Sequence, residues 1–98
     1  MQANTVTLDA RMRSRSDLRF TPAGVPALDF ELDHESTQIE AGAERRVACE
    51  LAGIAIGPVA KKLAGVAPGA ALRCRGFLAR RYRTGVTVAL HVNEFELQ

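Results

Sequence analysis

A tight turn that runs straight into a strictly alternating strand constrains this chain more than any other feature. Thr21-Pro22-Ala23-Gly24 has the residues of a type I turn, with Pro22 fixing φ at the second position and Gly24 suited to the fourth. The chain therefore reverses just where Val25 to Ser36 begins to extend. In that segment Leu28, Phe30 and Leu32 alternate with Asp29, Glu31, Asp33 and Glu35, so one face is apolar and the other acidic. Such a strand lies with one face on a core and the other in water, as in a closed or sandwiched β domain.

Other segments repeat the pattern. Val6, Leu8, Ala10 and Met12 alternate with polar residues and predict a first strand over Asn4 to Arg13. Gly42 marks the reversal after the second strand, and a third opens at Arg45 with Val47, Cys49 and Leu51 turned inward. Pairing the second and third strands lets Arg46 offset part of the acidic row. From Gly57-Pro58 to Gly65 the chain has Pro at a helix start and Gly past its end, which predicts a short helix burying Val59, Leu63 and Val66. In a fourth strand Leu72, Cys74 and Leu78 alternate with Arg73, Arg75 and Phe77. A fifth runs from Val86 through Val88, Leu90 and Val92 to Phe95, with an irregular end after Asn93. Three strands, a helix and two strands is the order of an OB-fold, an all-β five-stranded barrel with a short helix between strands three and four. The 98 residues have room for one such domain, spanning residues 1–98.

Bulk charge does not identify a partner, because 13 Lys and Arg face 11 Asp and Glu. The distribution says more. Residues 1–40 carry four basic and seven acidic side chains, a net of −3, whereas residues 41–98 carry nine and four, a net of +5. No apolar run approaches the roughly 20 residues that cross a bilayer, and no secretory signal opens the chain, so a cytoplasmic protein without membrane contact is expected. Cys49 and Cys74, both at inward positions, are expected to be packed free thiols.

The densest functional signal is Arg80-Arg81-Tyr82-Arg83-Thr84-Gly85, a loop between strands four and five with three cations around one aromatic ring. OB-folds bind oligonucleotides with this loop and with the loop between strands one and two. Arginine pairs with phosphate oxygens, and Tyr82 can stack on an unpaired base. Arg73 and Arg75 extend the same stretch, in which no acid occurs from Ala71 to Gly85. Arg11, Arg13, Arg15 and Arg19 form a second basic group, readable equally as edge-strand charge that prevents unwanted pairing. Lys61 and Lys62 read as the solvent face of the helix. Arg45 and Arg46 neutralise only part of the acidic row, so a DNA path is expected over the loops and strands four and five. Stacking candidates are Phe20, Phe77 and Tyr82. His34, His91, Cys49 and Cys74 lack the close pairs of a zinc motif, and no nucleophile or phosphate-loop pattern is present. Neither a cofactor nor a metal is expected.

Thr21 to Pro26 leading into Leu28 to Ser36, together with Arg75-Gly76-Phe77-Leu78-Ala79 and Leu90-His91-Val92-Asn93, resembles the primosomal replication protein N (PriB) family of single-stranded DNA-binding proteins. The resemblance implies a homodimeric OB-fold without enzymatic activity. It further implies binding of single-stranded DNA and of a PriA-type restart helicase and other primosome proteins at stalled forks. The family's basic loop maps to Arg80, Arg81 and Arg83, and its basic position before the first turn to Arg19. Glu35 and Ala48 depart from the pattern, where a relative can have a basic and an aromatic residue. The expected DNA contacts are Arg19, Arg73, Arg75, Phe77, Arg80, Arg81, Tyr82 and Arg83. A second group comprises Arg11, Arg13, Phe20, His34, Arg45 and Arg46. The dimer interface is expected on strand one. Two other readings share the fold: a protein-interaction OB module with incidental nucleic-acid binding, and an RNA-binding OB module.

Overall fold

The first strand has two partners, and this closes the barrel. In the computed structural model, which describes residues 2–98, β1 (Val6–Arg15) pairs with β5 (Ala71–Arg80) from Val6↔Gly76 to Arg11↔Ala71. Its second half pairs with β3 (Pro26–Glu40) from Arg11↔Asp33 to Arg15↔Phe30, with a register shift between Met12 and Ser14. Such a bulge bends a strand and increases its twist, which suits a strand that must serve two neighbours. β4 (Ala43–Ile56) lies along β3, and β6 (Val88–Leu97) pairs with β5 and meets β4 in parallel at Gly53↔Leu90 and Ile54↔His91. The circuit β1-β5-β6-β4-β3-β1 is the expected five-stranded OB barrel.

The Thr21–Gly24 turn forms as its residues require, with the Gly24 N–H donating to the Thr21 carbonyl at 2.8 Å and Gly24 at φ 82. It also zips the two-residue β2 (Arg19–Phe20) onto Pro26 and Ala27, an element too short for alternation to reveal. α1 (Pro58–Ala64) follows β4 with Pro58 in its first turn. Leu63 and Val66 are buried as expected, Val59 is partly buried, and Ala60 joins them. The helix thereby stops one end of a core built on Met12, Leu28, Leu32, Leu72 and Leu90.

Two glycines are required by close approach. A Cβ on Gly53 would enter the Phe30 ring, and one on Gly76 would meet the His91 backbone carbonyl. Opposite Gly76, β6 takes its irregular step: Gly76 faces Val92 while Arg75 faces Glu94, which leaves Asn93 as the extra residue.

Several expectations are corrected at the strand ends. β1 begins at Val6, and the Asn4 side chain continues the ladder instead, donating to the Leu78 carbonyl at 2.8 Å and accepting from the Leu78 N–H at 3.0 Å. β6 begins at Val88, leaving Val86 96% exposed in the loop. Leu78 has the inward parity but lies toward an open end and is 38% exposed. β3 and β4 run well past the barrel and turn at Ala41 and Gly42, whose φ values of 53 and 78 suit a two-residue hairpin. This arm stretches the molecule to 49 × 30 × 24 Å. Cys49 lies on it and is exposed, not packed inward, because alternation tells which residues share a face and not whether anything covers that face.

Cys74 is buried in the barrel, and burial pushes its thiol up to about 11. It is therefore both inaccessible and protonated near neutrality. A thiol reagent is expected to label Cys49 at once in the native protein and Cys74 only on unfolding. Prompt labelling of both would contradict this packing.

Candidate nucleic-acid interface

The loop from β5 to β6 gathers four of the side chains that the sequence nominates, Arg80 to Arg83. The Arg81 N–H donates to the Thr87 carbonyl at 2.8 Å and closes the loop's neck, while the Arg80 guanidinium donates to the Arg83 carbonyl, also at 2.8 Å. Tyr82 is 59% exposed, and the Arg81 guanidinium lies 5.3 Å from its ring centre, within cation–π range. Behind the loop, Phe77 and His91 are register partners whose rings stack at 4.9 Å and 15°. A groove of about 490 Å³ opens beside Tyr82, with Ala52, Ile54, Ala89 and His91 along it.

The acidic row on β3 is more fully neutralised than the sequence implies. Arg19 holds Asp29 at 2.9 Å, Arg81 holds Glu31 at 3.2 Å, and Arg46 holds Glu35 at 2.9 Å. Arg13 reaches Asp33 at 3.8 Å while binding Glu50 at 2.7 Å. Arg46 was expected to offset part of this row, but three of its four arginines come from β1, β2 and the β5–β6 loop. Arg45 instead pairs with Glu40 at 2.6 Å.

The same happens on β5. Arg73 binds Asp9 through both carboxylate oxygens, at 2.7 and 3.0 Å, and Arg75 binds Glu96 at 3.1 Å. The stretch without acids in sequence is thus interrupted in space by acids from β1 and β6. Seven of the thirteen cations are paired in this way. Among the described residues Arg11, Arg15, Lys61, Lys62, Arg80 and Arg83 have no carboxylate partner.

The nominated residues therefore fall into separate regions. Arg80 to Arg83 lie together beside the groove. Arg19 reaches its margin through Asp29, while neighbouring Phe20 is 59% exposed. Arg11, Arg13 and His34 line a wider depression of about 1000 Å³ near the root of the hairpin arm, and Arg45 and Arg46 lie on that arm. His34 donates from Nδ1 to the Asp9 carbonyl at 2.6 Å and meets Ser36 Oγ through Nε2 at 2.9 Å, so both ring nitrogens are engaged. The described residues contain no cluster of three or more metal-ligand side chains. Ile54 and His91 were missed as groove residues; the outward parity of His91 was legible, but its place beside Ile54 depends on a parallel register that no local pattern encodes.

A family described as a single-strand binding protein family matches residues 4–94. The replication restart protein PriB of Bordetella pertussis is 41% identical over 91 residues, covering 93% of this chain and 85% of the relative. This chain belongs to the PriB family. The PriB protein of Nitrosomonas europaea is 34% identical over 93% of this chain and 84% of its own. The solved PriB structure from Ralstonia solanacearum superposes with a TM-score of 0.90 at 32% identity, covering 98% of each chain. The single-stranded DNA binding protein of Thermus aquaticus shares the fold at a TM-score of 0.77 and 23% identity, over 98% of this chain and 50% of that one.

The pairing has an acid-side consequence. The Asp9 carboxyl is held below the usual carboxylate range, first by its hydrogen bond from Arg73, against a smaller opposing effect of desolvation. A depressed folded-state pKa contributes stability above the ordinary value near 4, and that contribution is lost as pH falls through the lower folded value. Asp9→Asn is therefore expected to lower the urea midpoint slightly at neutral pH. The gap to the native protein should narrow and then close as pH falls below the ordinary carboxylate range. A gap that widens in acid would contradict this.

Proposed function

We infer that this chain is a non-enzymatic single-stranded DNA-binding protein of the replication-restart primosome, built as a single OB-fold domain over residues 1–98 and acting in the cytoplasm. The observation that carries the reading is the pair of unpartnered cations, Arg80 and Arg83, flanking exposed Tyr82 on the β5–β6 loop of an OB barrel. Arg80 and Arg83 meet phosphates without first leaving a carboxylate, and Tyr82 stacks on a base. Phe77 backs the site through His91. Arg81, Arg19, Arg73 and Arg75 also face the strand, but each must exchange a carboxylate for a phosphate, which releases less counterion per contact. Their exposed pairs hold weakly, so the exchange remains accessible. Arg11, Arg13, Phe20, His34, Arg45 and Arg46 form an outer group that a longer strand reaches.

The names of its relatives support a place in replication restart. A PriA-type helicase and other primosome proteins are the partners this reading proposes. A homodimer through β1 fits the sheet, because Val6 to Ala10 pair with β5 on one side while β3 joins the other side only from Arg11 onward. The reading as a protein-docking module needs a free acidic face, and each carboxylate of that row has an arginine beside it.

Titration into a labelled oligo-thymidine of about 30 nucleotides, enough to span two folds, is expected to show submicromolar binding that falls steeply with salt. Reversing Arg80 and Arg83 to Glu should weaken it at least about tenfold, and Tyr82→Ala should remove about 1–3 kcal/mol. Unchanged affinity in these variants would contradict the assignment. Tighter binding to the matching oligo-uridine would move the reading to RNA.

A further inference from the structure

Resting on that reading, we propose that the groove beside the loop is a nucleotide subsite for the strand leaving Tyr82, with Arg15 as its phosphate-binding residue. Arg15 ends β1 and lines the groove between Ser14 and Ser16, on the wall formed by the β1 end, whereas Arg80, Arg81 and Tyr82 belong to the loop.

Two arginines of β1 are held by backbone carbonyls alone: Arg11, whose guanidinium donates to the Gly69 carbonyl at 3.0 Å, and Arg15, the one of the two that lines this groove. Its Nε donates to the Val66 carbonyl at 3.1 Å and a terminal nitrogen donates to the Ser16 carbonyl at 3.3 Å. These bonds orient the half-buried side chain through neutral acceptors. The guanidinium charge thus stays uncompensated, and about three of its five N–H donors remain for a ligand. A cation fixed in advance loses little side-chain entropy on meeting a phosphate.

The remainder of the groove suits a base. Ala52, Ile54 and Ala89 offer small apolar contacts, and His91, stacked on Phe77, offers an aromatic edge. Asp29 and Glu31 also line it, each beside an arginine, Arg19 and Arg81, which offsets its charge for as long as the pair holds. The volume of about 490 Å³ lies within the range of small-ligand sites. The strand would accordingly pass from the loop toward the β1 end and the turn after α1, where Val66 lies, and away from the hairpin arm.

Two variants test this against a purely structural role for Arg15 as a tie to the Val66 turn. Arg15→Gln keeps an N–H donor for the Val66 carbonyl and removes the charge. It is expected to bind oligo-thymidine several-fold more weakly and to make the plot of log affinity against log salt shallower by about 0.7, the share of one phosphate contact on a single strand. Arg15→Lys should restore the slope. Ser14→Glu adds a carboxylate at an exposed position on the groove rim and should weaken binding with the thermal midpoint little changed. If the native protein binds but Arg15→Gln and Ser14→Glu both match it in affinity and slope, the subsite is wrong and the loop assignment stands. If the native protein does not bind at all, the functional reading fails, and the subsite with it.

Discussion

β1 is hydrogen-bonded to β5 through its first half and to β3 through its second. A short barrel can close only if one strand bends in this way, and the bulge between Met12 and Ser14 supplies the bend. The closure fixes what lies next to what on the outside. It sets Asp9 opposite Arg73, brings Arg13 between Asp33 and Glu50, and ends β1 with Arg15 at the groove. It also leaves the edge of Val6 to Ala10 opposite β5 without a paired strand among the described residues.

Those juxtapositions govern the electrostatics. An exposed ion pair contributes little to stability, since two hydrated charges gain only a modest attraction in water. Its larger effect here is on what remains free. An arginine already beside a carboxylate offers a phosphate less net attraction, and the displaced carboxylate then repels the same anion. The net charge of +2 understates how uneven the surface is. The charge still open to an anionic strand is concentrated in Arg80 and Arg83 on the loop, Arg15 at the groove, and Arg11, Lys61 and Lys62 elsewhere on the barrel.

Local chemistry made the fold legible. The Thr21–Gly24 turn, the alternation of Leu28, Phe30 and Leu32, and the Pro58 start of the helix each depend on residues close in sequence. The family resemblance then supported the closure that local patterns cannot prove. Cys49 was misplaced because its parity matches Leu51 while the arm carrying it has no opposing layer. The pairing of Arg73 with Asp9 joins residues 64 apart, and that of Arg81 with Glu31 joins residues 50 apart. No window of sequence contains such a pair. The loop was therefore easy to nominate, while the sorting of its cations into paired and free needed the register of every strand.

The arginine Nε–H signals report that sorting directly. Nε of Arg19 and Nε of Arg73 donate to carboxylates, whereas Arg80 and Arg83 have no carboxylate partner among the described residues. An NMR titration of assigned arginine Nε–H resonances with a short oligo-thymidine is expected to move Arg80 and Arg83 first, while Arg19 and Arg73 stay at their starting positions until the strand is in excess. Early movement of Arg19 and Arg73 with Arg80 and Arg83 unmoved would contradict it.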